Sequence, residues 1–340
     1  MPLVRSPFGS MLCLFIALNG FCSACGEARG DAEPPSAGPQ AGGYSSLMAP
    51  PVVWSRGYFD LARMDNPQVP PSYFFAHSEA RQNAASMAAT FTDMGGWVWV
   101  RTGSHKGQVN DLATFVDVVL PRLRRTIRLI SSDGDSGVPG DLLPGVADAI
   151  LNHPLVTHWY TQNYDGSRVH PKLIPIPIGL DLHYRDDPDR KLARLLAAAQ
   201  AAPPPATRPA RVLLDVLTAT HPERAVVQQL LASSPHVDLT TKRGSFAEAM
   251  QLYGSYRFVV SPRGNGLDCH RTWELIALGT LPIVRSSSLD PLYAGLPVVI
   301  VQSWEEIRDP ANLERWYAQH AAALSSPGLH WLNRSRWLKP

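Results

Sequence analysis

Between residues 96 and 301 short apolar runs of strand length alternate with stretches of helical period, and this alternation constrains the fold more than any other feature. Trp97-Val98-Trp99-Val100 reads as a strand, residues 111–123 carry Leu112, Phe115, Val118 and Val119 at helical spacing, and residues 126–130 read as a second strand. Strand, helix, strand demands parallel pairing, because the helix must return the chain to the same end of the sheet. A short helix at 146–151 and strands at 156–161 and 172–178 continue the pattern, until a helix at 192–202 and Pro203-Pro204-Pro205 interrupt it. Strands at 211–216, 237–241, 256–260, 281–284 and 297–301 then enclose helices at 222–232, 245–253 and 271–278. Ser245 caps the second of these helices and Gly279 closes the third. The expectation is an α/β chain with a first unit at 52–185, a linker at 186–209, a second unit at 210–325 and a tail at 326–340. A length of 340 residues also suits two cores better than one.

The amino terminus reads differently. Arg5, the apolar run at 11–18 and Phe21-Cys22-Ser23-Ala24-Cys25 have the basic, apolar and small-residue order of an export leader over residues 1–25. Ser23-Ala24-Cys25-Gly26 resembles the end of a bacterial lipoprotein leader, which would place a lipid anchor on Cys25. The apolar run is far below the roughly 20 residues that span a bilayer. Residues 26–51 are mostly Gly, Ala, Pro, Ser and Gln, too poor in large apolar side chains to offset the entropy of ordering, and read as a disordered tether. An exported or membrane-anchored protein is expected, or a cytoplasmic one if the leader is a misread start. With three of the four cysteines in the leader, Cys269 alone remains for the folded body, which excludes a disulfide framework and a zinc cluster. A net charge of +2 and no long block of like charge exclude nucleic acid as a partner.

The chemistry concentrates in Ser261-Pro262-Arg263-Gly264-Asn265-Gly266-Leu267-Asp268-Cys269-His270-Arg271-Thr272-Trp273-Glu274, at the carboxyl end of one expected strand and the start of the next helix. Backbone N–H groups and the helix dipole favour an anion there. Gly264 and Gly266 allow close backbone approach, Arg263 and Arg271 offer bidentate bonds to phosphate, and Glu274 falls on the same helix face as Arg271. An ordinary solvated Arg–Glu pair is the plain alternative. A dinucleotide fingerprint would want a third glycine where Cys269 stands, and a P-loop would want Gly-Lys-Ser/Thr, so neither fits.

This run, followed by Leu278-Gly279-x-Leu281-Pro282-Ile283-Val284, resembles the carboxyl-terminal signature of exostosin-like glycosyltransferases, in the glycines, Asp268, Arg271, Glu274 and the Gly-x-x-Pro start of the strand. The resemblance covers about 50 residues, 253–304, with weaker support at 176–181. It implies a GT-B-like fold, two Rossmann-like domains facing a cleft, the second holding a nucleotide sugar and the first a glycan or other hydroxyl acceptor. It further implies Arg271 on the diphosphate, Glu274 on the ribose, and Asp268 shaping the loop or meeting the sugar; Arg263, Gly264, Asn265 and Gly266 complete the expected donor-binding loop. The nucleotide sugar, a UDP-sugar by expectation, is then a co-substrate; no cofactor or metal is expected.

A general base for transfer would come from the first unit, at a strand's carboxyl end. Asp133 and Asp135, after the strand at 126–130, rank first as catalytic candidates, although a plain turn rich in Ser, Asp and Gly is the preferred reading of the segment. His105, Lys106, Asp165 and Asp181 sit at comparable ends and are the acceptor-side candidates, whereas His153, His158, His170 and His183 lack metal-ligand spacing. Two rival readings stay open: a non-catalytic glycan-binding surface lipoprotein on the same scaffold, and an NAD-binding oxidoreductase.

Overall fold

The computed structural model describes residues 52–75, 83–103, 111–182, 188–240, 244–325 and 328–338. The leader, Cys25, the tether, His105 and Lys106 lie outside the described residues. Three short helices, α1 (Phe59–Asp65), α2 (Pro71–Phe75) and α3 (Ala84–Thr90), precede β1 (Gly96–Gly103). There follow α4 (Asp111–Val118), β2 (Ile127–Gly134), α5 (Val146–Asn152), β3 (Val156–Thr161) and β4 (Leu173–Pro175). These four strands form one parallel sheet in the order β1-β2-β3-β4. Val98, Leu129, Ile130 and Trp159 from the strands and Phe115 and Ile150 from α4 and α5 are fully buried in its core.

Two elements are shorter than their patterns suggest, both because of proline. The helix expected at 111–123 ends at Val118 and tightens into a 3-10 turn at Leu120–Arg122, since Pro121 cannot donate to a continuing α-helix. The strand expected at 172–178 pairs only over Leu173–Pro175, where Pro175 and then Pro177 withhold ladder donors. The helices before β1 carry no long periodic run. α1 is fastened instead by Asn66, whose amide donates to the Gly95 and Trp97 carbonyls at 3.0 and 2.7 Å and accepts from Gly95 N–H at 2.9 Å.

The second unit contains α6 (Pro188–Ala201), β5 (Val212–Leu214), α7 (Pro222–Leu231), β6 (Val237–Leu239), α8 (Phe246–Gly254), β7 (Phe258–Val260), α9 (His270–Ala277), β8 (Leu281–Arg285), β9 (Val299–Val301) and α10 (Pro310–Leu324). Its parallel sheet has the order β6-β5-β7-β8-β9. Because β6 pairs on one side of β5 and β7 on the other, the winding direction reverses at β5/β7, and ligands of open α/β sheets bind beside such a reversal. A separate apolar cluster of Val212, Val227, Phe258, Ile283, Trp304 and Trp316 forms this unit's core. Ser245 and Glu248 close a reciprocal capping box at the start of α8.

Of the stretch 186–209, read from sequence as a linker, residues 188–209 are a packed part of the second unit. α6 lies on α8 and α9 with Leu195 and Ala198 buried. Arg208, 4% exposed, donates to the Leu278 and Gly279 carbonyls at 3.0 and 2.9 Å, closing the carboxyl end of α9. Burial pulls its pKa down to about 10.

The tail binds back onto both units. Val53 N–H donates to the Leu332 carbonyl at 2.8 Å, Arg334 pairs with Asp60, and Trp337 stands edge-on to Trp273 of α9 with ring centroids 5.5 Å apart. Gly179 (φ 70°) is needed where the chain near 179 passes the 52–54 segment, because a Cβ there would lie 2.1 Å from the Val53 carbonyl oxygen. The whole is two α/β units, each built on a parallel sheet.

Candidate functional site

The loop from β7 to α9 is built by contacts from three directions. Within its own unit, Ser261 Oγ and Thr272 Oγ1 are hydrogen-bonded at 2.9 Å, joining the end of β7 to the first turn of α9. From behind, Arg224 on α7 donates to the Arg263 and Pro262 carbonyls at 2.8 and 3.2 Å, which fixes the loop's curvature. From the first unit, Asn163 accepts from Asp268 N–H at 2.8 Å while donating to the Gly134 carbonyl at 2.9 Å. Gly266 is required at this crossing, because a Cβ there would lie 2.9 Å from Asn163 Nδ2. His270 Nδ1 donates to the Gly179 carbonyl at 2.8 Å, and Ser288 Oγ to that of Tyr164 at 2.7 Å.

Asp268 is the centre of this crossing. Its carboxylate, 1% exposed, accepts from Ile178 N–H of the first unit at 2.8 Å, Cys269 N–H at 2.9 Å and Trp273 Nε1 at 2.9 and 3.0 Å. These bonds tie the loop to the first unit and to the start of α9. Burial raises its pKa to about 7 against the opposing effect of these donors. A raised folded-state pKa means that the folded chain holds a proton the unfolded chain has released. The stability contribution is full below the ordinary value of 3.8 and is lost as pH rises towards 7. Urea melts at pH 5 and pH 7.5 should show this decline in the wild type and a smaller one in Asp268→Asn.

Beside the loop, a pocket of about 310 Å³ opens among His221, Glu223, Arg263, Thr272, Arg285 and Ser287, at the carboxyl ends of β7 and β8. The first turns of α7 and α9 both meet it, and no side chain caps α9 at Cys269. Its electrostatics suit an anion. Arg263 Nε is buried with no hydrogen-bond partner among the described residues, an arrangement costly unless a ligand supplies the acceptor. Burial, together with the Arg263 and Arg224 guanidinium groups, pushes the pKa of His221 below its usual value. Glu223 is the carboxylate in the lining; its Oε1 accepts from Arg285 at 3.0 Å and Trp304 Nε1 at 2.9 Å.

No protein-family model matches the sequence, and no curated protein matches it. Among solved structures the chain is similar to the crystal structure of alpha,alpha-trehalose 6-phosphate synthase from Burkholderia multivorans, with 11% identity and a TM-score of 0.41, over 83% of this chain and 79% of that one.

The sequence-expected residues divide into groups. Arg263 lines the pocket, and Gly264, Asn265 and Gly266 carry the chain past it to Asp268. Arg271 and Glu274 do not line it. Arg271 lies 5.6 Å from the Tyr253 ring centroid, and Tyr253 donates to Asp215 at 2.6 Å, just past β5, so Arg271 borders the β5/β7 reversal. Burial opposes its charge, but Tyr253, Asp215, Cys269 and Glu274 raise its pKa on balance. Its Nη1 is buried with no hydrogen-bond partner. Glu274, expected on the ribose, is buried on α9.

In the first unit, Asp133 does stand at the end of β2, but as a correction to its catalytic ranking its carboxylate is 2% exposed and paired with the buried Arg56 at 3.0 Å. Asp135, one residue past β2, is partly exposed. Asp165 shapes a turn instead of facing an acceptor, accepting from Gly140 N–H at 2.6 Å and Ser167 N–H at 2.9 Å. Asp181 pairs with Lys191 at 2.9 Å. Sequence reasoning missed Asn163, His221, Glu223 and Arg224. His221-Pro222-Glu223 did have a signal, a strand's carboxyl end running into a helix start, as at the loop before α9. Among the described residues no group of three or more His, Cys, Asp or Glu could hold a metal ion, and no helix is long and apolar enough to cross a membrane.

Proposed function

We propose that the protein is a glycosyltransferase that moves a sugar from a nucleoside diphosphate, a UDP-sugar in the first instance, to a hydroxyl of a glycan or similar acceptor. The observation that carries the reading is a pair of guanidinium groups, Arg263 on the loop after β7 and Arg271 in the first turn of α9, each with a buried nitrogen that has no hydrogen-bond partner among the described residues. They flank the open start of α9 at the strand ends of a reversing parallel sheet, and a diphosphate is the ligand that such donors and such a helix end would receive. Fixed cations and helix ends can also stabilise the departing diphosphate as charge develops on it. The likeness to an exostosin-like signature supports the same assignment.

In this reading the second unit holds the donor and the first presents the acceptor, with Asp135 as the general base. The assay is release of the nucleoside diphosphate from a panel of UDP- and GDP-sugars in the presence of mixed glycans. Arg263→Ala removes hydrogen bonds to charged oxygens, each worth about 1.5–3 kcal/mol, and should raise KM for the donor roughly tenfold to a hundredfold. Failure to turn over or bind any donor by a folded chain would leave glycan binding without transfer as the better reading.

A further inference from the structure

We infer that Glu223 receives the ribose hydroxyls of the bound nucleotide, so that the nucleoside lies between the start of α7 and the end of β8; this rests on the donor reading above. Glu223 sits in a pocket whose other charged lining is Arg263 and Arg285. A carboxylate weakens such a pocket for phosphate, so its presence calls for a ligand that also brings hydrogen-bond donors. A nucleoside diphosphate has both parts, anionic oxygens and a vicinal diol.

The side chain is held for this role. Its Oε1 accepts from Arg285 and Trp304, which fixes the carboxylate plane, while Oε2 comes within 4.0 Å of His221 Nδ1, too far for a hydrogen bond. That leaves Oε2 as an acceptor at the pocket wall, with the Glu223 side chain 14% exposed. The pocket's volume of about 310 Å³ lies within the range of small-molecule sites. Glu274, where the resemblance would place ribose recognition, is buried on α9 and outside the lining.

The test is calorimetric titration of the full chain with whichever of UDP and GDP binds more tightly, with its 2′,3′-dideoxy analogue, and with inorganic pyrophosphate. Wild type, Glu223→Gln and Glu274→Gln are compared, each first checked for an unchanged melting temperature. Gln at 223 keeps an oxygen for Arg285 and Trp304, so the fold should survive. The expected result is that wild type prefers the ribonucleotide over the dideoxy analogue by about tenfold, the effect of one charge-assisted bond. Glu223→Gln should lose that preference while holding pyrophosphate as well as or more tightly than wild type, because a negative charge has gone. Glu274→Gln should keep it. The inference falls if wild type binds both nucleotides equally, or if Glu274→Gln abolishes the preference and Glu223→Gln does not; in both cases nucleotide binding, and with it the donor reading, stands. If wild type binds neither nucleotide nor pyrophosphate, the donor reading and this inference fall together.

Discussion

Asp135→Asn is expected to fold and bind the donor as the wild type does, and to transfer sugar about a hundredfold to ten-thousandfold more slowly, the usual range for loss of a general base. The expectation follows from the difference between two carboxylates that look equivalent in sequence. Asp133 and Asp135 both follow β2, but the backbone at Asp133 turns with φ 62° and sends its side chain inward to Arg56. Asp135 follows Gly134, whose carbonyl accepts from the Gln162 and Asn163 side chains, the latter bonded also to the donor loop at Asp268. Asp135 keeps part of its surface open. Single-turnover rates with the donor chosen by the release assay, measured alongside donor affinity, check it: a rate within about threefold of wild type would remove Asp135 from the mechanism.

Asp133→Ala should lose about 3–5 kcal/mol of stability, because it removes the carboxylate paired with the Arg56 guanidinium, 1% exposed. Ser55 Oγ, 3.5 Å from the same carboxylate, and the Gln162 side chain, 3.0 Å from Asp133 N–H, place this pair at the join between the 52–58 segment and two strand ends. Urea melts of the full chain measure the loss. Asp133→Asn should recover part of it, since an amide oxygen can still accept from Arg56 Nε. A variant that melts like wild type would show that the pair is not structural and would return Asp133 to the list of bases.

The contrast also shows what a single sequence can carry. Strand-to-helix alternation is a local property written in the spacing of Leu112, Phe115 and Val118, so the two parallel sheets were legible. The loop at 261–271 was legible for the same reason, as its glycines, arginines and helix start are neighbours in the chain. The crossing contacts were not. Asn163 meets Asp268 across 105 positions, and Arg224 meets Arg263 across 39, and no spacing rule connects them. The stretch 186–209 misled because its prolines mark turns within a packed layer as readily as they mark a linker. Helical spacing put Glu274 beside Arg271, but spacing fixes only which side chains share a face, not which face the second unit covers.

The most direct test of the account is titration of the full chain with UDP, GDP and NAD, with Arg263→Ala and Arg271→Ala as controls. The account predicts that UDP or GDP binds one to one, that NAD does not, and that each substitution weakens binding at least about tenfold, equivalent to the loss of one charge-assisted bond. NAD binding without a nucleoside diphosphate, or nucleotide binding indifferent to both arginines, would contradict it.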